Sequence, residues 1–168
     1  MLVKQLLSKE APEPGPYSQA IAIDHGLYFE VKTSGMCADF PMNHSVQGLD
    51  SPDDAEGQTT RALANLEGVL TKVGGDRYNI TSVTVYLKDM ESNWDAMNAA
   101  YKKFFRLARV LPTRAAVGVA EIPLPTEKSL VMISAEAYVP KEESQDYNFN
   151  RELAEQEQSM EGGTGTGK

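Results

Sequence analysis

Cysteine is nearly absent: Cys37 is the only one in 168 residues, so no disulfide can form within the chain. It and the two histidines, His25 and His44, do not fall at metal-ligand spacing, which argues against a structural zinc site. Basic residues are also scarce. Sixteen Lys and Arg face 24 Asp and Glu for a net charge of -8, whereas binding to a phosphate backbone needs clustered cations. No nucleic-acid partner is expected. No apolar run is long enough to span a bilayer, and residues 1–7 are too short for a signal peptide before Glu10 and Pro12 intervene. No membrane partner is expected, and the default location is the cytoplasm, with a mitochondrion or another organelle left open.

The chain is long enough for one domain, and 41% hydrophobic residues suffice for one core. That domain is expected over residues 1–140. Residues 141–168 shift to Glu, Gln, Ser, Asn and Gly, and read as an acidic, flexible tail with a transient helix around Arg151 to Met160. Gly162 to Lys168 imitates a phosphate loop, but it has no preceding strand, no following helix and no Ser or Thr after the lysine. A terminal linker is the better reading.

Periodicity places the elements in between. Prolines and a glycine keep residues 9–19 extended and present Tyr17 either to a site or as a packing anchor. Residues 20–23 and 27–31 flank Asp24-His25-Gly26 as a hairpin, with His25 a turn residue. Ser34, before Gly35, either bonds a ligand or caps a turn. A polar loop from Cys37 to Asp54 borders whatever site exists, and Cys37 is a weak nucleophile candidate. Leu63, Leu66, Leu70 and Val73 mark a helix from about 54 to 73, closed by Gly74-Gly75. Residues 80–87 alternate as a strand, with Val83, Val85 and Leu87 on one face. A second helix, capped by Ser92 or Asn93, buries Met97, Ala100, Tyr101 and Phe104, with Asn98 beside that stripe. The last strand runs from Leu130 to Val139, with Val131, Ile133, Ala135 and Ala137 on one face.

The most informative stretch is 112–123. As a strand it carries Ala115, Val117 and Val119 on one face and Arg114, Ala116, Gly118 and Ala120 on the other. An arginine at the head of a row of very small side chains stands beside open space. Its planar fork matches a carboxylate bidentately, so Arg114 is the candidate clamp for a small acid. The alternative is a surface arginine paired with one of the chain's own carboxylates.

Taken in order, Gly15-Pro16-Tyr17-Ser18-Gln19-Ala20, Thr33-Ser34-Gly35, Gln58-Thr59, Asn65-Leu66, Val83 to Met90, Asn98-Ala99-Ala100-Tyr101 and Pro112-Thr113-Arg114-Ala115-Ala116-Val117 resemble the reactive intermediate deaminase family, also called YjgF or Rid, over residues 9–140. The resemblance implies an α+β, chorismate-mutase-like fold, with two helices on one face of a mixed sheet, assembled as a homotrimer with sites between subunits. It also implies hydrolysis of 2-imino acids to 2-keto acids and ammonia without metal or cofactor. Arg114, which would hold the substrate carboxylate, would act with Tyr17 and Asn98 as the catalytic set, and Ser34, Gly35, Ala116 and Met132 would complete the substrate-binding site.

The sequence departs from that pattern at informative places. The family's water-orienting glutamate on the last strand aligns with Met132, and a sliding register brings Ser134 or Glu136 there instead. The cysteine two residues after the arginine is Ala116, and the glutamine after Ser-Gly is Met36. An insertion lies near Pro125 to Lys128. Carboxylate recognition is expected to survive. Two other classes stay open: a non-catalytic module that binds small carboxylates, and an endoribonuclease, which the acidic balance opposes.

Overall fold

The computed structural model describes residues 2–6, 16–38, 53–122 and 128–141. Most of the lead-in to Tyr17, most of the loop after Cys37, the inserted stretch before Lys128 and the acidic tail with its glycine-rich end lie outside the described residues. Six strands form one sheet: β1 (Leu2–Leu6), β2 (Ala20–Asp24), β3 (Tyr28–Thr33), β4 (Ile80–Lys88), β5 (Thr113–Val119) and β6 (Val131–Pro140). Their order is β1-β2-β3-β6-β4-β5. All neighbours are antiparallel except β4 and β5, which run parallel because α2 (Met90–Phe104) crosses over between them.

The β2–β3 hairpin forms as the Asp24-His25-Gly26 turn requires. Gly26 adopts φ 89°, and its amide bonds to Asp24 Oδ1 at 2.8 Å. β1, a strand that the periodicity does not predict, pairs with β2 at the other edge of the sheet.

Helix α1 (Ala55–Leu70) begins where Asp54 caps the Gly57 amide at 2.7 Å, and ends in a 3-10 turn (Thr71–Val73) that Gly74 closes at φ 80°. Helix α2 starts earlier than Ser92 or Asn93. Its N-cap is Asp89, left-handed at φ 47°, which turns the chain straight from β4 into the helix. Asn93 instead donates its side-chain amide to the Lys88 carbonyl at 2.9 Å.

Both helices cover the same face of the sheet. Leu63, Leu66 and Leu70 of α1 and Met97 and Tyr101 of α2 pack on Val83, Val85 and Leu87 of β4 and Val131, Ile133 and Ala135 of β6. Burying each large aliphatic side chain contributes about 2 kcal/mol. Phe105, just past α2, is also buried, while Phe104 from the expected stripe is only partly covered. Among the described residues no helix covers the opposite face of the sheet. It carries Met132 and Ser134 of β6, Thr84 and Tyr86 of β4, and Val117 of β5. Val117 remains 44% exposed, so the apolar face expected for this strand lies on the uncovered side.

Candidate active site

β5 lies at the edge of the sheet, and its register decides where Arg114 points. Arg114 pairs with Val83, which is buried under the helices, so both share the helix-covered side. There Arg114 meets α2. Its Nη1 donates to Asn98 Oδ1 at 2.8 Å, and its Cζ lies 4.6 Å from the Tyr101 ring and 5.6 Å from the Trp94 ring. Spaced by four and three residues, Trp94, Asn98 and Tyr101 form one stripe along the helix aimed at the guanidinium.

Among the described residues Arg114 forms no salt bridge, in a chain with 24 acidic side chains. The paired surface arginine allowed for in the sequence is thus not found there. Two rings and an amide fix the guanidinium, and Asn98 is its one hydrogen-bond partner among the described residues. Among the described residues no acceptor takes the remaining N–H groups.

Tyr101 sits deeper. It is 7% exposed, its ring meets that of Phe105 at 4.8 Å with the planes tilted by 48°, and its hydroxyl has no hydrogen-bond partner among the described residues. Burial pushes its pKa up to about 12, with Arg114 pulling in the opposite sense.

The other expected site residues gather elsewhere. Ser34 donates its hydroxyl to the Ser18 carbonyl at 2.6 Å, and its amide bonds to the Gln19 carbonyl at 2.8 Å, so it ties the end of β3 to the segment before β2 rather than capping a local turn. Tyr17, next to Ser18, is exposed. Met36 then bridges to Ile133 of β6, which continues the lane of β3 alongside that strand. Gly35 is pressed against Met132: a Cβ on it would fall 2.4 Å from Met132 Sδ. Met132 pairs with Tyr86, opposite in parity to Val83, and therefore lies on the uncovered face.

The chain thus holds two clusters. Arg114, Ala116 and Asn98 lie on the helix side at the β5 edge; Ser34, Gly35 and Met132 lie by β6 on the other face, with β4 between. Cys37 is buried, so it offers no accessible thiol, and its carbonyl accepts from Asn65 Nδ2 at 2.8 Å. A groove of about 630 Å³ along α1, lined by Asp54, Glu56, Gly57, Thr60, Arg61 and Ala64, includes none of these residues. Trp94 is the site residue that sequence reasoning missed. Its spacing from Asn98 was the available signal.

The model of a family described as Endoribonuclease L-PSP matches residues 8–139. The chain belongs to that family. Among its relatives, a RutC family protein of Synechocystis is 36% identical over 141 residues, covering 83% of this chain and 99% of that protein. The goat protein named 2-iminobutanoate/2-iminopropanoate deaminase is 33% identical over 73% of this chain and 82% of its own length. Solved structures agree in fold. Escherichia coli TdcF with bound serine superposes with a TM-score of 0.63 at 29% identity over 80% of this chain and 97% of that one. The Escherichia coli YjgF gene product gives 0.64 at 28% identity over 80% and 97%. The two helices and six-stranded mixed sheet are those of YjgF-like proteins, as the family resemblance implies.

Proposed function

We propose that this protein hydrolyses 2-imino acids to 2-keto acids and ammonia, with Arg114 holding the substrate carboxylate. The observation that carries this reading is the guanidinium of Arg114, oriented by Asn98 and two rings yet without a carboxylate partner among the described residues. A protonated imine beside a carboxylate is already electrophilic, so a protein that fixes the acid and admits water does most of what is needed. Water oxygen adds to the imine carbon, one of its protons passes to the nitrogen, the C–N bond breaks to release ammonia, and the remaining hydroxyl proton passes to that ammonia to leave ketone and ammonium. Relatives named for this activity support the reading.

The site is completed between copies of the chain, a homotrimer by family resemblance. β4 and the sheet itself separate Arg114 from Gly35 and Met132, and neighbouring strands lie about 4.8 Å apart. A molecule the size of an imino acid cannot touch both clusters in one subunit. Joined across an interface, they put Tyr17, Ser34 and Gly35 of one copy beside Arg114, Asn98 and Ala116 of another. One observation favours a second reading, a carboxylate-binding module without turnover: Met132, which can neither accept a strong hydrogen bond nor take a proton, lies against Gly35 where the family pattern has an acid.

An amino-acid oxidase that generates the imine in situ, with semicarbazide trapping the survivors, separates these readings. The wild type should lower trapped imine, and Arg114→Ala should lose that effect at least about a hundredfold in kcat/KM. Unchanged hydrolysis by Arg114→Ala would falsify the clamp. Keto-acid binding without turnover would favour the module.

A further inference from the structure

We propose that Trp94 and Ala116 set the size of the substrate side chain, and that the site prefers 2-imino acids with a bulky apolar side chain. The inference rests on Arg114 as the carboxylate clamp and adds what lies next to it. Helix α2 follows β4 and returns the chain to β5, which is parallel to β4, so it runs antiparallel to β5. Its two ends mark the alignment. Met90 lies beside Gly118, 3.7 Å from where a Cβ would be, and Asn98 bonds to Arg114. Eight helical residues rise about 12 Å and four strand residues about 13 Å, so the two rows stay in step. Trp94, midway along the helix, therefore stands opposite Ala116, midway along the strand.

That places a partly covered apolar corner beyond the guanidinium, with Ala116 half-buried against the core and the indole of Trp94 above it. Ala116 contributes only a methyl, the Met90 side chain covers Gly118, and β5 is an edge strand with no further strand beside it among the described residues. Trp94 is 38% exposed, so its indole keeps free surface, whereas Tyr101, three residues past Asn98 in the other direction, is buried. A ligand whose carboxylate sits on the free N–H groups of Arg114 thus finds one exposed aromatic surface within reach, on the side of Ala116. A leucine- or phenylalanine-sized side chain lies against the indole and shields it from water. A methyl or hydroxymethyl group stops short of it.

The readout is the ratio of kcat/KM for a leucine-derived imine to that for an alanine-derived imine, each formed in situ by an amino-acid oxidase. The wild-type ratio should exceed one. Trp94→Ala should lower it by about tenfold or more, the scale on which apolar pockets discriminate side chains, while Trp94→Phe should keep it within about threefold. Losing the indole also loosens Arg114, but that affects both substrates alike and leaves the ratio unmoved. Ala116→Leu, which fills the corner from the floor, should lower the ratio independently.

A wild type that prefers the alanine-derived imine overturns the proposal, as does a ratio that neither Trp94→Ala nor Ala116→Leu changes. The clamp is tested separately. If Arg114→Ala loses both substrates while the Trp94 and Ala116 variants leave the ratio fixed, only this inference fails; if Arg114→Ala retains both, the clamp fails and takes the inference with it. Should turnover be absent, Trp94, the single tryptophan, reports binding by its fluorescence. Tighter binding of 4-methyl-2-oxopentanoate than of pyruvate supports the proposal; equal binding, or none, overturns it.

Discussion

Asn98 Oδ1 accepts a hydrogen bond from Arg114 Nη1 at 2.8 Å, joining α2 to the edge strand β5. Removing that acceptor in Asn98→Ala frees one end of the guanidinium and lowers its pre-organisation, so Kd for a 2-keto acid should rise by about five- to tenfold. Asn98→Asp should weaken binding further, because the new carboxylate occupies Arg114 itself. Calorimetric titration with a 2-keto acid measures both effects, and equal affinities for the three proteins would show that Asn98 does not act on the clamp.

Gly35 and Met132 have no room between them for a methyl group. In Gly35→Ala the Cβ would meet Met132 Sδ at 2.4 Å and Cγ at 2.7 Å, so the thioether must rotate away. Its flexibility limits the expected cost to about 1 to 3 kcal/mol. Adding Met132→Ala should relieve the clash, giving a favourable coupling in a double-mutant cycle followed by urea denaturation. Additive effects would mean that the two do not touch.

The buried Tyr101 hydroxyl has no partner among the described residues, and leaving such a group unsatisfied costs about 1 to 3 kcal/mol. Tyr101→Phe keeps the ring against Arg114 and should stabilise the fold, raising Tm by a few degrees. The hydroxyl also predicts an alkaline limb. Its folded pKa, about 12, lies above the unfolded value near 10, so the folded state holds the proton more tightly. The stability this gives is complete below about pH 10 and is lost as pH rises towards 12, by about 2 to 3 kcal/mol. Denaturation at both ends of that window should show a loss that Tyr101→Phe lacks.

Gln58 is 2% exposed, and its side chain bonds both to the Lys128 carbonyl at 2.9 Å and to the Leu130 amide at 2.7 Å. It takes the place of a neighbouring strand at the entrance to β6. Gln58→Leu strands both backbone groups and should cost about 2 to 4 kcal/mol. Faster hydrogen exchange at Leu130 should accompany the loss, and an unchanged rate would place the Gln58 contribution elsewhere.

Much of this molecule is determined by local sequence. Alternation in 80–88 and 131–140 states which side chains are buried, because a strand turns successive residues to opposite faces whatever surrounds it. The Asp24–Gly26 turn and the Gly74 helix end follow from glycine's access to positive φ. Where α2 begins is less legible: Ser92 and Asn93 are good caps, but the left-handed turn at Asp89 that starts the helix belongs to its junction with β4. Arg114 stands out in the sequence because a charge heads a row of small residues, yet the sequence leaves open whether it is paired. Only the tertiary structure puts β5 at the sheet edge, brings α2 over it, and so surrounds the guanidinium with Trp94, Asn98 and Tyr101. The same topology parts Gly35 and Met132 from Arg114, because strand order and register depend on long-range pairing that no local periodicity encodes.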